Sequence, residues 1–502
     1  MNQRKAGTIL TYIHILLANT VSLIYTPYML RVMGQSEYGL YGTANSFISY
    51  LSILSFGIGG AYIRFNAQYR VKGDREGEKR LNGMFLVVYS ILSMIIFAVG
   101  MIFIICAGKL VENTFTDKEL WKLRIIMFLL VINMMITFIF NVVTMALQAY
   151  EKYIFMRIVT ISAALVTPIV NVIVLKNGGR SVAISAMSLV ISIICYIIYF
   201  VYARKAIKLE FEFKGFQKKV IKELFIFSSF LFLNSITDQI TFSTDNLVLS
   251  AVSGTTAVAI YSVGANFKNY FQQFSSAISG VFGARLNLMV ANNSDVKELD
   301  EVFIKVGRIQ FYVVSLILMG YLSIGKVFVE MWAGSDYENA YYIGLLLMIS
   351  VFVPAIQNVG LEIQKAMNKH KARTIVYFWI AIVNIGVTIP FSIRWGGIGA
   401  ALATMISMFL GRVVFMNYYY QKYMKMDIVK FWKSIFSILP GYIIPGCLSV
   451  LINLYWKINS FLDILVAAIL ITLAFTISVW LFSMNIYEKD VVRLMLRKKT
   501  KR

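Results

Sequence analysis

Apolar runs recur along the whole chain and constrain its fold more than any other feature of the sequence. Each run holds about 20 residues, which is long enough to cross the ~30 Å hydrocarbon core of a bilayer as an α-helix. Hydrophobic residues make up 59% of the 502 positions and charged residues only 15%, whereas about 25% of residues are charged in a typical soluble domain. The sequence therefore predicts an all-α polytopic membrane protein.

Hydropathy predicts about fourteen transmembrane helices. They fall near residues 8–30, 40–63, 83–107, 123–148, 155–176, 182–203, 223–250, 257–285, 308–332, 342–364, 375–395, 400–421, 433–455 and 461–484. The first run follows Arg4 and Lys5 and is too long for the core of a cleaved signal peptide, so we expect it to stay as the first span. The predicted loops are too short to hold a folded domain, so we expect the membrane-embedded part to carry the function.

The net charge of +23 is explained by where the basic residues lie. Lys and Arg concentrate in every second predicted loop, which is the positive-inside pattern of membrane proteins. These basic segments are residues 64–80, 204–222, 365–373 and 489–502. The pattern predicts that both termini are cytoplasmic, and it accounts for the charge without a nucleic-acid partner.

Cysteine and histidine give no sign of a metal or disulfide framework. Cys106, Cys195 and Cys447 lie far apart within apolar runs, and no CxxC pair is present. The two histidines, His14 and His370, fall in the first predicted span and in a basic loop. We therefore predict no metal site and no cofactor.

The chain shows signs of an internal repeat. Gly34 and Gly254 are separated by 220 positions, and Gly178 and Gly396 by 218 positions. Six predicted spans separate the copies, and an even number preserves orientation, so the repeats would be parallel and related by a pseudo-two-fold axis along the membrane normal. A site between two such lobes suits alternating access.

This repeat predicts two six-helix lobes with two additional C-terminal helices. The predicted segments are an N-lobe at residues 1–203, a basic cytoplasmic linker at 204–222, a C-lobe at 223–424, and the last two helices with a basic tail at 425–502.

Polar residues share one face in the helices that would begin each lobe. An acid at bilayer depth costs about 2.5–3.5 kcal/mol on insertion scales, so ionisable residues there usually face a partner or a water-filled cavity. We predict a cavity lined by Asn45, Asn234, Asp238, Asp245, Lys268, Asn269 and Gln272. The alternative interpretation is a set of interhelical hydrogen bonds and a structural ion pair.

Two arginines occupy equivalent positions in the proposed repeat. Arg64 closes the second predicted span and Arg285 closes the eighth, both on the side predicted to be cytoplasmic. Guanidinium groups bind phosphate oxygens with two parallel hydrogen bonds, so this pair would suit a diphosphate. The alternative is that each arginine only anchors its helix at the interface.

Several segments resemble a known family. They are "TPYMLRVMGQSEYGLYG" (26–42), "LQAYEKYIFMRIV" (147–159), "DNLVLSAVSGTTAVAIYSVGANF" (245–267), "FIKVGRIQF" (303–311) and "QKAMNKHKARTIVYFWIAIVNI" (364–385). The sequence is similar to bacterial polysaccharide-biosynthesis flippases, the Wzx-type exporters of O-antigen, capsule and exopolysaccharide repeat units. These belong to the MOP superfamily, which also holds MATE antiporters and lipid II flippases.

The resemblance implies a non-enzymatic transporter of the bacterial plasma (inner) membrane, with two lobes around a cavity lined by spans one, two, seven and eight. The implied substrate is an undecaprenyl-diphosphate-linked oligosaccharide, the implied partners are membrane lipids and a polysaccharide polymerase or co-polymerase, and transport would follow the membrane potential or H⁺ or Na⁺ return. Flippase cavities of this kind tend to be cationic, so Asp238 and Asp245 depart from the pattern. They would pair with Lys268, bind a coupling cation, or hydrogen-bond sugar hydroxyls.

Three other functions remain open at the level of the sequence. A MATE-type antiporter commonly uses an acid in the first span, which has none here, although the acids of the second lobe keep this alternative open. A lipid II flippase would have the same fold. A membrane glycosyltransferase or polymerase would need a catalytic group in an external loop, where Glu112, Asp117 and Glu119 lie in a short segment without a recognisable constellation.

Overall fold

The computed structural model describes residues 3–55, 59–216, 236–237, 239–240, 243–292, 294–367, 369, 371–490 and 493, and these residues are mainly helical. The first helices are α1 Gln3–Leu51, a 3-10 turn Ser52–Ser55, α2 Gly59–Lys72, α3 Arg75–Val111, α4 Asp117–Ala149, α5 Tyr153–Lys176, α6 Ser181–Ala206 and α7 at residues 243–252.

The remaining helices continue the all-helical pattern to residue 482. They are α8 Gly254–Ala291, α9 Val296–Ala333, a 3-10 turn Ser335–Tyr337, α10 Glu338–Ile356, α11 Asn358–Ala366, α12 Lys371–Met408, a π-helix Phe409–Phe415, α13 Met416–Lys422, α14 Ile428–Phe436, a 3-10 turn Leu439–Tyr442, α15 Ile443–Tyr455 and α16 Phe461–Phe482.

Within the described residues, ten helical segments are long and apolar enough to cross a membrane, or eleven if a bent helix pair is counted as one span. Two of these segments, Ile9–Lys72 and Ala372–Lys422, are 64 and 51 residues long and each covers two predicted spans. The predicted span at 223–250 lies largely outside the described residues. The structure confirms the all-α polytopic architecture, whereas the number fourteen stays a prediction.

Glycines in left-handed backbone conformations lie within or between the long helical segments. Gly34 has φ 78° inside α1, and Gly254, its partner in the predicted repeat, has φ 80° at the start of α8. Gly178 and Gly396, the second predicted pair, have φ 84° and 55°. Only glycine adopts this conformation without steric cost, so the helical geometry is interrupted at these positions because each holds a glycine. Both pairs agree with the proposed repeat, which itself remains a prediction.

Contacts divide the chain into two compact units. Unit 1 comprises Met1–Ser262 with Ile385–Ala400, and unit 2 comprises Val263–Asn384 with Ala401–Arg502. The hydrophobic core of unit 1 is formed by α1 to α6, and its fully buried members include Leu40, Tyr62, Phe85 and Ile126. The lobe boundaries predicted from the repeat are not tested by this division.

Unit 2 is held together largely by α9. This helix packs against α10, α14, α15 and α16. Near one end of α9 the rings of Phe303 and Phe431 stack with centroids 4.6 Å apart. Nearer the other end, Ile324 packs in a small core with Ile452 and Ile471. The last two membrane helices are therefore part of the packed body of unit 2.

Candidate functional site

The structure describes most of the predicted site residues but not all of them. Asn234 and Asp238 lie outside the described residues. The others divide between the units: Asn45, Arg64 and Asp245 belong to unit 1, and Lys268, Asn269, Gln272 and Arg285 belong to unit 2. The predicted common cavity stays a prediction.

In unit 1, α1 is joined by polar side chains to the segment that leads into α7. The Asn246 amide donates to Ser46 Oγ at 3.0 Å, and the Ser49 and Ser243 hydroxyls lie 3.3 Å apart. The Gln239 amide donates to Ser49 Oγ at 2.8 Å. We call these five residues the polar seam. They show that part of the polar face predicted in the second span serves helix–helix contact.

Asp245 lies beside the polar seam but is enclosed by protein. It is 1% exposed, and it accepts a hydrogen bond from the Tyr261 hydroxyl. Asn45 is partly buried and donates to the carbonyl of Tyr41, one turn earlier in α1, at 2.7 Å. The hydrocarbon of a bilayer would therefore not contact the Asp245 carboxylate.

A second carboxylate, that of Glu119, gathers hydroxyl groups at the end of unit 1 predicted to be external. It accepts hydrogen bonds from Ser36, from Thr255 at 3.2 Å, and from both the backbone N–H and the hydroxyl of Thr116 at 2.9 Å. We call these four residues the Glu119 cluster. A Cβ on Gly39 would lie only 1.9 Å from the carbonyl oxygen of Thr255, so α1 and α8 approach each other here as closely as backbones allow.

Glu37 makes a parallel set of contacts at the same end. Its carboxylate forms an ion pair with Lys122 and accepts hydrogen bonds from the hydroxyl and backbone N–H of Ser181, the first residue of α6. The negative charge at the helix N-terminus is also favoured by the helix dipole. Neither Glu37 nor Glu119 is predicted as a site residue, because spacing along the sequence gives no sign of contacts across 83 to 144 positions.

The predicted polar face of α8 is open within unit 2. Asn269 and Ser276 are exposed and Gln272 is partly exposed, whereas Ser275 is completely buried and donates to the carbonyl of Ala355 at 2.6 Å. Lys268 differs from its neighbours because it is only 6% exposed. One face of this membrane helix therefore packs into unit 2, and the opposite polar face does not.

The two predicted arginines are both exposed within their own units. The Arg64 guanidinium lies 4.8 Å from the centre of the Phe65 ring. Arg285 is exposed near the end of α8. Among the residues that the structure describes, no group of three His, Cys, Asp or Glu side chains could hold a metal ion.

Unit 2 contains a buried ion pair that sequence reasoning missed. Arg308 on α9 and Glu488 beyond α16 are 5% and 6% exposed, and two nitrogens of the guanidinium bind the two oxygens of the carboxylate. Arg308 also donates to the carbonyls of Ser434 at 2.6 Å and Ser483 at 3.0 Å, and Tyr312 donates to Glu488 at 3.0 Å. We call these five residues the Arg308 cluster.

Comparison with known proteins identifies the family. A model of polysaccharide biosynthesis proteins matches residues 5–282, which is more than half of the chain. The chain belongs to this family. The match confirms the polysaccharide-biosynthesis part of the resemblance, while the Wzx-type assignment stays a prediction. A search of curated proteins found no match.

Solved structures with the same fold include a lipid flippase and transporters described as members of the MOP superfamily. The lipid II flippase MurJ in an inward closed conformation superposes with a TM-score of 0.68 at 16% identity, covering 97% of this chain and 99% of MurJ. An inward-facing multidrug resistance MATE transporter gives 0.62 at 14% identity, covering 83% and 95%. A MOP transporter from Pyrococcus furiosus gives 0.55 at 13% identity, covering 81% and 93%. At these identities the likeness establishes the fold alone.

Proposed function

We propose that this multi-pass membrane protein is a flippase that moves lipid-linked oligosaccharide repeat units across the bacterial plasma membrane for polysaccharide biosynthesis. The family match supports the pathway, and the fold supports transport. The observation that carries the proposal is the open polar face of α8. Polar side chains exposed on a membrane helix need water or a polar ligand, because hydrocarbon offers no hydrogen-bond partner.

The exposed groups suit the head of such a lipid. Amide side chains such as Asn269 and Gln272 both donate and accept hydrogen bonds, as sugar hydroxyls do. Arg64 and Arg285 would bind the diphosphate, since guanidinium groups recognise phosphate oxygens in pairs. The hydrocarbon tail would stay in the bilayer while the head crosses. In this proposal Asn234 and Asp238 line the same path.

The membrane potential would supply part of the driving force. Each elementary charge that crosses a potential of 100 mV gains or loses about 2.3 kcal/mol. A diphosphate head carries about two negative charges, and its export from a negative interior is therefore favoured. Return of H⁺ or Na⁺ would add to this force, with Asp245 as a buried acid available for coupling.

Alternating access requires the polar seam and the Glu119 cluster to separate. Both join α1 or α4, in the predicted N-lobe, to residues of the predicted C-lobe. In the proposed cycle these contacts close the external end while the head group loads from the cytoplasm, and they break when the site opens outward. Export would then hand the repeat unit to a polymerase or co-polymerase.

The test is complementation of a deletion strain by variants of the open face. We expect that Asn269→Ala combined with Gln272→Ala gives normal protein levels, loses at least 90% of surface polysaccharide, and accumulates the lipid-linked repeat unit inside the cell. The matched control is Thr472→Ala, which removes an exposed hydroxyl bonded only to the backbone of its own helix. Normal polysaccharide in the deletion strain itself would overturn the proposal.

A cation-coupled antiporter is the second candidate, and the buried carboxylate of Asp245 is the observation that favours it. The same strains distinguish the two functions. An antiporter would leave surface polysaccharide unchanged and alter tolerance to drugs or cations. Asp245→Asn would then abolish tolerance, whereas the Asn269 and Gln272 changes would affect it less.

A further inference from the structure

Unit 1 contains a pocket of about 260 Å³ that is lined mainly by polar and charged residues and lies outside the proposed transport path. It lies between α2, α3, the end of α4 and the chain that follows α6, on the side predicted to be cytoplasmic. Its volume is several times the ~30 Å³ that one water occupies in the liquid. The lining residues that carry the argument are Asn66, Arg75, Glu78, Lys79, Lys208 and Glu210.

The wall of this pocket is fixed by backbone and side-chain hydrogen bonds. The N–H of Glu212 donates to the carbonyl of Lys79 at 3.0 Å, and the Asn82 amide donates to the carbonyl of Glu210 at 2.9 Å. Tyr62, which is fully buried, donates to Asn82 at 2.7 Å. The segment after α6 is thereby held across α3, and the pocket is formed before any ligand arrives.

Both carboxylates of the lining already have cationic partners. Glu78 pairs with Arg75 at 3.1 Å, and Glu210 pairs with Lys79 at 2.8 Å. Lys79 also reaches Glu76, which is on the exposed side of α3. The hydrogen bond from Lys79 holds the pKa of the Glu210 carboxyl below its usual value. Glu78 and Glu210 are therefore already paired with Arg75 and Lys79, and neither forms an ion pair with the third cation of the pocket.

That third cation is Lys208, whose backbone has φ 49°. A left-handed conformation is unfavourable for lysine, and such residues often occur where a side chain is held for binding. Lys208 is exposed and forms no ion pair with any residue that the structure describes. The side chain of Arg75 is about half exposed, and its guanidinium keeps N–H groups that Glu78 and Tyr150 do not use. The pocket therefore presents positive donors to a ligand.

Asn66 supplies the opposite kind of group. It is 1% exposed, and its Oδ1, although fully buried, accepts no hydrogen bond from any residue that the structure describes. A buried acceptor left without a donor costs about 1–3 kcal/mol. A ligand hydroxyl donating to Asn66 would remove this cost.

We propose that the pocket binds a phosphate ester that carries a free hydroxyl. The phosphate would lie against Lys208 and Arg75, and the hydroxyl would donate to Asn66. Two sources have this chemistry: the head group of a hydroxylated anionic lipid such as phosphatidylglycerol, and a small soluble ester such as glycerol 1-phosphate. The pocket is smaller than the ~300 Å³ at which sites for drug-sized ligands begin, which agrees with a head group.

The test measures binding and does not depend on transport, so its failure would leave the proposed flippase function untouched. Full-length protein in phosphatidylcholine nanodiscs is titrated with glycerol 1-phosphate and with inorganic phosphate. Lys208→Asn removes the cation and keeps a residue that tolerates the left-handed backbone. Its matched control is Lys205→Asn, an exposed lysine in the last turn of α6 that does not line the pocket.

We expect Lys208→Asn to weaken the binding of glycerol 1-phosphate at least tenfold and Lys205→Asn to leave this affinity unchanged. An unchanged thermal transition first shows that the Asn66→Ala variant folds. This variant should then bind glycerol 1-phosphate at least fivefold more weakly and inorganic phosphate with unchanged affinity. Equal weakening of both ligands by Asn66→Ala would overturn the hydroxyl contact.

A parallel experiment identifies the source of the ligand. Native mass spectrometry counts the phosphatidylglycerol retained after reconstitution in mixed nanodiscs. Retention that falls at least tenfold in Lys208→Asn alone, without binding of the soluble ester, supports a lipid head group. Binding of the soluble ester alone supports a cytoplasmic metabolite. If neither ligand binds, or if both lysine variants weaken binding equally, the proposal is wrong.

Discussion

The Glu119 cluster of unit 1 and the Arg308 cluster of unit 2 use a carboxylate in opposite ways. Glu119 is surrounded by neutral donors, namely the hydroxyls of Ser36, Thr116 and Thr255. Glu488 instead faces a guanidinium that binds both of its oxygens, deep inside the protein. Each carboxylate joins segments that are more than 80 positions apart in the sequence.

This difference separates contacts that can break from contacts that must persist. Hydroxyl groups released from a carboxylate can form hydrogen bonds to water, so opening the Glu119 cluster leaves no buried charge without a partner. Removing the partner of a buried charge costs about 3–5 kcal/mol, because the remaining charge stays in an environment of low dielectric constant. We therefore interpret the Glu119 cluster as a reversible contact and the Arg308 cluster as a permanent one.

The largest expected effect comes from removing one member of the permanent contact. Arg308→Met should lower the free energy of unfolding by about 3–5 kcal/mol, because Glu488 would remain buried without its cation. Thermal unfolding of the purified protein in detergent measures this loss. The double variant Arg308→Met with Glu488→Leu should recover most of it, since an apolar pair leaves no buried charge.

The control for this prediction is Lys305→Met. Lys305 pairs with Glu301 at 3.0 Å one turn away on the same helix, but both side chains are exposed. An exposed helical pair of this kind contributes about 0.3–0.5 kcal/mol. Equal losses of unfolding free energy in the Lys305 and Arg308 variants would show that the buried ion pair contributes no more to stability than the exposed one.

The second effect concerns the reversible contact. Glu119→Gln replaces charge-assisted hydrogen bonds with neutral ones and should weaken the closed external end by about 1–2 kcal/mol. Each kcal/mol corresponds to a roughly fivefold change in the open population. The measurement is labelling of Asn246→Cys by a membrane-impermeant maleimide, in a background where Cys106, Cys195 and Cys447 are replaced by Ser.

Asp117→Asn is the matched control, because Asp117 is an exposed acid two positions before Glu119. Its labelling rate should equal that of the parent protein. A Glu119→Gln variant that labels at the parent rate would remove the basis for calling this contact reversible.

The smallest effect is expected in the polar seam. Ser49→Ala removes hydrogen bonds to Ser243 and Gln239, and such interhelical bonds contribute about 0.6 kcal/mol each in a membrane. The two bonds together contribute about 1.2 kcal/mol, so the same labelling assay should show an increase of about sevenfold. Ser52→Ala is the control, since its hydroxyl bonds only to the carbonyl of Ser49 in its own chain segment. If the labelling rate increases in both variants, the effect comes from a change in the helix and not from loss of the polar seam.

Much of the fold could be predicted from the sequence because hydrocarbon permits few backbone structures. Apolar runs of helical length predict the membrane helices. The repeat suggested by the spacing of Gly34 and Gly254 stays a prediction, although both glycines have positive φ. The polar face of α8 was also found from its spacing. Helical spacing states which side chains lie together on one helix, and this much follows from local geometry.

The partners of those side chains could not be predicted in the same way. Ser49 follows Asn45 by one helical turn, so helical spacing puts both on one face, but no feature of the sequence indicates that Ser243 and Gln239 are its neighbours. Arg308 lay within a segment that carried the family resemblance, yet its carboxylate partner is 180 positions away. Glu119 was considered as an acid for catalysis, whereas its carboxylate caps α4 and binds three hydroxyls. Contacts of this kind depend on tertiary packing.

The distance between Arg308 and Glu488 has a consequence for synthesis of the protein. The ribosome adds about 5–20 residues per second, so the 180 positions between them take roughly 9–36 s. During that interval the guanidinium has emerged but its carboxylate has not been made. Nascent chains would therefore carry an uncompensated charge on α9 until the whole of α16 has been synthesised, and chains whose translation stops before residue 488 would keep that charge.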